Sequence, residues 1–282
     1  MQQQNDNVEG YDQLQEIAKT IFPGWNSKYY RDFAKQVQFV EFEGANRIPY
    51  YFLENEDKST NNYIIYFHGN GENIENSLNM LQRFTDYLKT HFILVEYPGY
   101  GNYQSTIVTT AEQIEKDALV VFDYIKQKFA VNDNQIYVFG RSIGTGPAFY
   151  LGANRNCAGL IILSAYITLY KLVNDIVPKR AHYLLNENHI NNEENSQKIK
   201  CKCLFIHGQK DNLTFLKPIQ DLYNNLPAHI KEQSYLSIQE NMSHNNFLIK
   251  EHIIDPILNF YTELKITKDE QNKEKDQTLQ ND

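Results

Sequence analysis

Short apolar runs alternate with amphipathic stretches along most of this chain. The runs occupy residues 63–67, 92–96, 135–139, 160–163 and 203–206. The stretches between them carry apolar side chains at helical spacing, most clearly over residues 111–129. Continuous apolar runs are typical of parallel strands, because helices cover both faces of such a sheet. The pattern therefore predicts an α/β fold, with a mostly parallel sheet and helices on both faces.

The two ends of the chain have different patterns. Residues 11–22 place apolar side chains on one helical stripe, which Pro23 and Gly24 end. Residues 37–42 and 48–53 predict an antiparallel hairpin. We expect the N-terminal helix to cover its own domain, and assembly with another protein is the alternative use of its apolar stripe. The expected divisions are a helical extension at residues 1–32, one α/β domain at residues 33–264 and a disordered, charged tail at residues 265–282.

A serine follows the run at residues 135–139 in the sequence Gly140-Arg141-Ser142-Ile143-Gly144. This is G-x-S-x-G, the pattern of a nucleophile elbow, in which the serine lies on a sharp turn between a strand and a helix. Gly140 and Gly144 leave room for the backbone of such a turn. Ser142 is therefore the predicted nucleophile. A chance occurrence of the five residues in a loop is the alternative.

An acid and a base follow Ser142 in the order that this elbow requires. Asp211 comes after the run at residues 203–206, and His244 comes after the alternating pattern of residues 233–238. A serine hydroxyl is a poor nucleophile at neutral pH, so His244 would take its proton while Asp211 orients the imidazole ring.

The run at residues 63–67 is followed by the turn His68-Gly69-Asn70-Gly71. A strand that ends in His-Gly brings the next backbone N–H near the nucleophile. We therefore assign the oxyanion hole to the backbone amides of Asn70 and Ile143, with Gly69 as the turn glycine. His68 could instead be a second base, but it precedes Ser142 in the chain.

Together these residues resemble the α/β-hydrolase-domain serine hydrolases, nearest to the depalmitoylases of subfamily 17 and the sister subfamily 13. The resemblance rests on residues 68–71, 97–101, 140–145, 207–211 and 243–245. It implies the α/β-hydrolase fold, with Ser142, Asp211 and His244 as its catalytic triad. It also implies a short lid insertion at about residues 165–200, whose Asn- and Glu-rich second half, residues 186–198, we expect to be mobile.

Members of subfamily 17 release long-chain acyl groups from cysteine thiols of membrane proteins, so protein depalmitoylation is the activity that this resemblance implies. The chain departs from those subfamilies in three places. Its first cysteine is Cys157, no stretch before Tyr63 resembles a membrane span, and Asn212 follows Asp211 where an acidic residue usually comes soon after the aspartate.

Composition narrows the function classes. At 282 residues and 41% hydrophobic content, the chain can bury one large core. A net charge of −8 argues against nucleic acid as a partner. The 3 cysteines favour free thiols in a reducing compartment over a disulfide framework or a metal site. No apolar stretch reaches the roughly 20 residues of a membrane span. We therefore expect an intracellular, cytoplasmic protein that needs no cofactor or metal, with peripheral membrane or organelle association left open.

Two functions from different classes fit these observations. The first is a serine hydrolase that cleaves acyl esters or thioesters through an acyl-enzyme, with an acyl ester or an acylated protein as its substrate. The second is an α/β-hydrolase-fold subunit or scaffold of a larger assembly with little catalysis, because a fold does not by itself determine a function.

Overall fold

The computed structural model describes residues 21–24, 28–42, 46–103, 109–176, 185 and 190–264. Their strands form one eight-stranded sheet. The strands are β1 Gln38–Phe42, β2 Asn46–Leu53, β3 Tyr63–Phe67, β4 His91–Val95, β5 Ile136–Arg141, β6 Gly159–Leu163, β7 Cys203–Gly208 and β8 Tyr235–Gln239. Their order across the sheet is β1-β2-β4-β3-β5-β6-β7-β8. The pairs β1–β2 and β2–β4 are antiparallel and the other five pairs are parallel, which confirms the predicted sheet.

Helices connect the parallel strands and cover the sheet. They are α1 Arg31–Ala34, α2 Ile74–Leu81, α3 Ala111–Lys128, α4 Thr145–Asn154, α5 Leu169–Ile176, α6 Asn192–Ser196, α7 Leu216–Asn224, α8 Ala228–Lys231 and α9 Asp255–Phe260. A π-helical stretch, Ile249–Ile254, leads directly into α9.

The core consists of two apolar layers, one on each face of the sheet. Strand residues point alternately to opposite faces. In β3, Ile65 therefore lies in the layer of α3 and α4, whereas Ile64 lies in the layer of α2 and α9. Both side chains are fully buried, and each such burial stabilises the fold by about 1.5–3 kcal/mol.

The described end of the N-terminal extension packs on its own domain. Ile21, Phe22 and Tyr29 are buried, and the Tyr29 hydroxyl donates a hydrogen bond to the carboxylate of Glu96. Most of the predicted helix at residues 11–22 and the whole predicted tail at residues 265–282 lie outside the described residues, so both remain predictions.

The second half of the predicted lid is more integrated with the domain than its composition suggests. Residues 190–198 contain α6, in which Asn192 and Ser196 are fully buried. The side-chain amide of Asn192 donates a hydrogen bond to the carbonyl oxygen of Tyr166 at 2.9 Å. This burial argues against the expected mobility for residues 190–198, whereas residues 186–189 lie outside the described residues.

A tight turn joins β5 to α4. Ser142 has a left-handed φ of 51°, a conformation that costs a non-glycine residue about 1–3 kcal/mol. A Cβ atom on Gly140 would lie 2.3 Å from the carbonyl oxygen of Gly144. A Cβ atom on Gly144 would lie 2.1 Å from the carbonyl oxygen of Phe67. Backbone atoms cannot move aside as side chains do, so both positions require glycine.

We expect Gly140→Ala and Gly144→Ala each to lower the free energy of unfolding by about 2 kcal/mol or more, because the added methyl group overpacks against backbone. Gly152→Ala is the matched control in α4. Its Cβ would meet the end of the Leu160 side chain at 2.7 Å, which can rotate, and alanine favours the helix by about 0.5–1 kcal/mol. Urea unfolding of the three variants measures these changes. An equal loss of unfolding free energy in all three variants would contradict the requirement for glycine at the turn.

Candidate active site

Three parallel strands bring the predicted triad residues to one edge of the sheet. Ser142 directly follows β5, Asp211 follows β7, and His244 lies in the loop after β8. The carboxyl ends of parallel strands meet at one edge, which is where α/β proteins bind their ligands. Residues that are far apart in the chain therefore come together there.

The side chains of Ser142, His244 and Asp211 form one chain of hydrogen bonds. The Nε2 atom of His244 is 2.9 Å from the Oγ atom of Ser142. The Nδ1 atom of His244 is 2.8 Å from the Oδ2 atom of Asp211. All three residues are buried. A carboxylate only accepts hydrogen bonds, so Nδ1 carries the proton and Nε2 is left to accept from the serine hydroxyl.

Asp211 lies among hydrogen-bond donors. Its Oδ1 atom accepts from the backbone N–H groups of Leu213 and Thr214 at 3.0 and 2.9 Å, and its Oδ2 atom accepts from the Thr214 hydroxyl at 2.9 Å. Burial acts to raise the pKa of Asp211, but the hydrogen bonds from His244 and Thr214 outweigh it and hold the pKa at about 2. The carboxylate is therefore charged at neutral pH and can stabilise a protonated His244.

The sequence did not indicate the roles of His207 and Thr214. His207 is fully buried at the end of β7, and its Nε2 atom donates to the carbonyl oxygen of Thr214 at 2.6 Å. Burial lowers the pKa of His207, which favours the neutral ring. His207 thus holds the loop that carries Asp211. The motif His207-Gly208 can be recognised in the sequence, but the contact between His207 and Thr214, seven residues further along the chain, cannot.

The predicted oxyanion residues lie on two adjoining turns. Gly144 packs against the carbonyl groups of Phe67 and His68, which brings the turn with Ile143 against the end of β3. Two hydrogen bonds fix the side chain of Asn70 to Ile21 and Tyr100. Its Nδ2 atom donates to the carbonyl of Ile21 at 2.7 Å, and its Oδ1 atom accepts from the Tyr100 hydroxyl at 2.8 Å. An oxyanion contact by Asn70 would therefore come from its backbone N–H.

His68 does not contact Ser142 in the described hydrogen bonds. Its Nε2 atom is 2.8 Å from the Oε1 atom of Glu96, and both side chains are buried. Glu96 also accepts hydrogen bonds from the Tyr29 hydroxyl and, at 3.2 Å, from the backbone N–H of Ile74. His68 is thus part of a buried polar group behind the turn of Asn70, which argues against its being a second base.

The cysteines form a separate buried cluster. The Sγ atoms of Cys157 and Cys201 are 3.1 Å apart, and Cys203 lies beside them. Cys157 precedes β6, Cys201 precedes β7 and Cys203 begins β7, so the cluster lies at the opposite ends of the strands from Ser142. In the part of the chain that the structure describes, no group of three or more His, Cys, Asp or Glu residues could hold a metal ion. None of the described helices is both long enough and apolar enough to cross a membrane.

A cleft of about 140 Å³ opens beside the loop that carries Asp211. It lies between that loop and the start of the predicted lid, and apolar side chains dominate its lining. The large apolar residues in the lining are Tyr166, Ile167, Leu172, Leu213, Phe215 and Ile219. Leu213 and Phe215 are also exposed to solvent, at 41% and 64%. Tyr166 links the cleft to the elbow, because its hydroxyl donates to the carbonyl oxygen of Ile143 at 3.2 Å.

No family model matches the chain. By sequence it is similar to L404 of Acanthamoeba polyphaga mimivirus, which is named as a candidate α/β hydrolase. The two are 28% identical over 193 residues, 67% of this chain and 68% of L404. The chain is also 27% identical over 209 residues to the lysophosphatidylserine lipase ABHD12 of Bos taurus. That match spans 67% of this chain but only 51% of the lipase.

Solved structures of hydrolases share the fold. The Pyrococcus furiosus esterase PF2001 superposes with a TM-score of 0.64 at 15% identity, covering 84% of this chain and 95% of the esterase. The 2,6-dihydroxy-pseudo-oxynicotine hydrolase superposes with a TM-score of 0.63 at 18% identity, covering 82% of this chain and 69% of that enzyme. The chain therefore has the predicted α/β-hydrolase fold, and two proteins that it resembles in sequence are named as an α/β hydrolase and a lipase.

Proposed function

We propose that this protein is a serine hydrolase that cleaves acyl esters or thioesters through an acyl-enzyme on Ser142. The observation that carries the proposal is the buried chain of hydrogen bonds from Ser142 through His244 to Asp211. Geometry of this kind activates a serine because the imidazole accepts the hydroxyl proton as the oxygen attacks.

Acylation would begin with attack of the Ser142 Oγ atom on the substrate carbonyl carbon, while His244 takes the hydroxyl proton at Nε2. The carbonyl oxygen would become an oxyanion, which the backbone N–H groups of Asn70 and Ile143 stabilise. The tetrahedral intermediate would then expel the alcohol or thiol, which receives its proton from His244. In deacylation a water molecule would give a proton to His244 and attack the acyl carbon. Collapse of the second tetrahedral intermediate would break the bond from the acyl carbon to Oγ, His244 would return the proton to Oγ, and the acid would leave.

The negative charge of Asp211 supports this cycle at each step where His244 is protonated. Because the pKa of Asp211 is held at about 2, the carboxylate does not need to lose a proton before it stabilises the imidazolium. The hydrogen bonds from Leu213 and Thr214 fix its orientation toward His244.

The apolar cleft supports the proposal that the protein recognises the acyl group of its substrate. Its volume of about 140 Å³ is close to that of an apolar cavity of about 150 Å³ that holds benzene, so an acyl chain of a few carbons fits within it. ABHD12 is named as a lipase of lysophosphatidylserine, which supports an acyl ester. Protein depalmitoylation is the narrower proposal that follows from the resemblance to subfamily 17.

Ser142→Ala and His244→Ala are each expected to abolish labelling by a fluorophosphonate probe and to lower kcat by about 10⁴-fold or more. Ser164→Ala is the matched control. Ser164 is also a buried serine with a left-handed φ, 53°, and it directly follows a parallel strand, yet its hydroxyl has no hydrogen-bond partner among the described residues. This control should label like the wild type. Continued labelling of Ser142→Ala would exclude Ser142 as the nucleophile, and a folded wild type that is never labelled would favour the scaffold function.

Leu213→Asn is expected to reduce kcat/KM for a hexanoyl ester about tenfold more than for an acetyl ester, because a methylene group in an apolar site contributes about 1–3 kcal/mol to discrimination. Ile238→Asn is the matched control, since Ile238 is equally exposed at 41% but lies on the edge strand β8, outside the cleft. In the control, the ratio of kcat/KM for the hexanoyl ester to kcat/KM for the acetyl ester should not change. An unchanged ratio in Leu213→Asn would show that the acyl chain binds elsewhere.

A further inference from the structure

The guanidinium of Arg141 joins three loops of the candidate site. Arg141 is the last residue of β5, directly before Ser142, and its side chain is only 8% exposed. One nitrogen, Nη1, pairs with the carboxylate of Glu72, in the loop after β3. The other, Nη2, donates to the side chain of Asn245 at 2.8 Å and to the carbonyl oxygen of His244 at 3.3 Å.

Glu72 extends this connection to the turn with Asn70. Its Oε2 atom accepts from the backbone N–H of Gly69 at 3.3 Å and from the Ser77 hydroxyl at 3.2 Å. A Cβ atom on Gly69 would lie 2.8 Å from the Nη1 atom of Arg141, so the glycine also leaves room for the guanidinium. The ion pair therefore contacts the residue before Asn70 on one side and the His244 loop on the other.

We propose that Arg141 and Glu72 are positioning residues that fix the turn of Asn70 and the loop of His244 relative to Ser142. This inference rests on the proposed serine hydrolase function. A planar guanidinium can bond in two directions at once, whereas the ammonium group of lysine acts as a single point of charge. Taking charges out of water offsets much of what an ion pair contributes to stability, and this pair is partly buried, so we assign its contribution to orientation.

The size of the effect follows from the distances that the reaction requires. A displacement of about 1 Å in a reacting group can cost about 100-fold in rate. Arg141→Lys keeps the charge but cannot hold both Glu72 and Asn245. We expect its kcat to fall about 10- to 100-fold while KM changes less than about threefold, because the substrate cleft is intact.

Arg155→Lys is the matched control. Arg155 also makes a bidentate pair, with Asp123 at 2.8 and 2.7 Å, but that pair lies on the surface at the end of α4. Its kcat should equal that of the wild type. A wild-type kcat in Arg141→Lys as well would overturn the proposal, whereas inactivity of every protein including the wild type would instead count against the hydrolase function.

A double variant separates positioning from stability. Arg141→Met with Glu72→Leu removes both charges and fills their space, and such replacements of buried ion pairs are often neutral or stabilising. We expect urea unfolding near that of the wild type together with a kcat that stays reduced. Recovery of kcat along with stability would overturn the proposal, because the pair would then matter only for folding.

The pH dependence of kcat/KM gives a further test, because removing the cation and removing the anion should shift it in opposite directions. The groups around His244 are Asp211, His207, the Thr214 hydroxyl, Arg141 and, through Arg141, Glu72. Arg141→Gln removes a cation that contacts the loop of the proposed base, so the acid limb of the profile should move to higher pH. Glu72→Gln removes an anion, so the same limb should move to lower pH. Shifts in the same direction, or none, would contradict a position for the ion pair beside the general base.

Discussion

The turn at Ser142 is the constraint on which the rest of the site depends. The chain must leave β5, take a left-handed conformation at the serine and enter α4, with Gly144 packed against the backbone at the end of β3. Contact between backbones leaves no space for side chains at Gly140 or Gly144. The same packing brings the turn with Ile143 against the end of β3, so one steric requirement sets the positions of Ser142 and of the turn that carries one proposed oxyanion amide.

Around that turn, buried polar groups orient the loops. Asp211, held by Leu213 and Thr214, faces His244 from one side, and Arg141 contacts the His244 loop from another. Behind the turn of Asn70, Glu96 bonds to His68 and to Tyr29 of the N-terminal extension. Each of these charged side chains has a hydrogen-bond partner, which matters because an unpaired buried charge costs several kcal/mol or more. The extension thereby contributes to the support of the site as well as to the core.

The sequence predicted the parts of the structure that depend on short patterns. Apolar runs located the strands, and the residues directly after them gave the positions that the structure brings together at Ser142, Asp211 and His244. Such patterns can be recognised in the sequence because each candidate residue lies within a few positions of the end of its strand. The roles of Arg141, Glu72 and Glu96 were not predictable, since their partners lie tens of residues away and any charged residue can be solvated instead. Composition was a poor guide for residues 190–198, where the amide of Asn192 bonds inside the domain.

Trapping the covalent intermediate would test the central claim most directly. The protein would be mixed with a slowly hydrolysed acyl ester, quenched in acid during the first turnover and digested for mass spectrometry. The account predicts an acyl group on the peptide that contains Ser142, with an initial burst of alcohol equal to the enzyme concentration. Turnover of the ester without any acyl group on Ser142, or with the group on another residue, would contradict it.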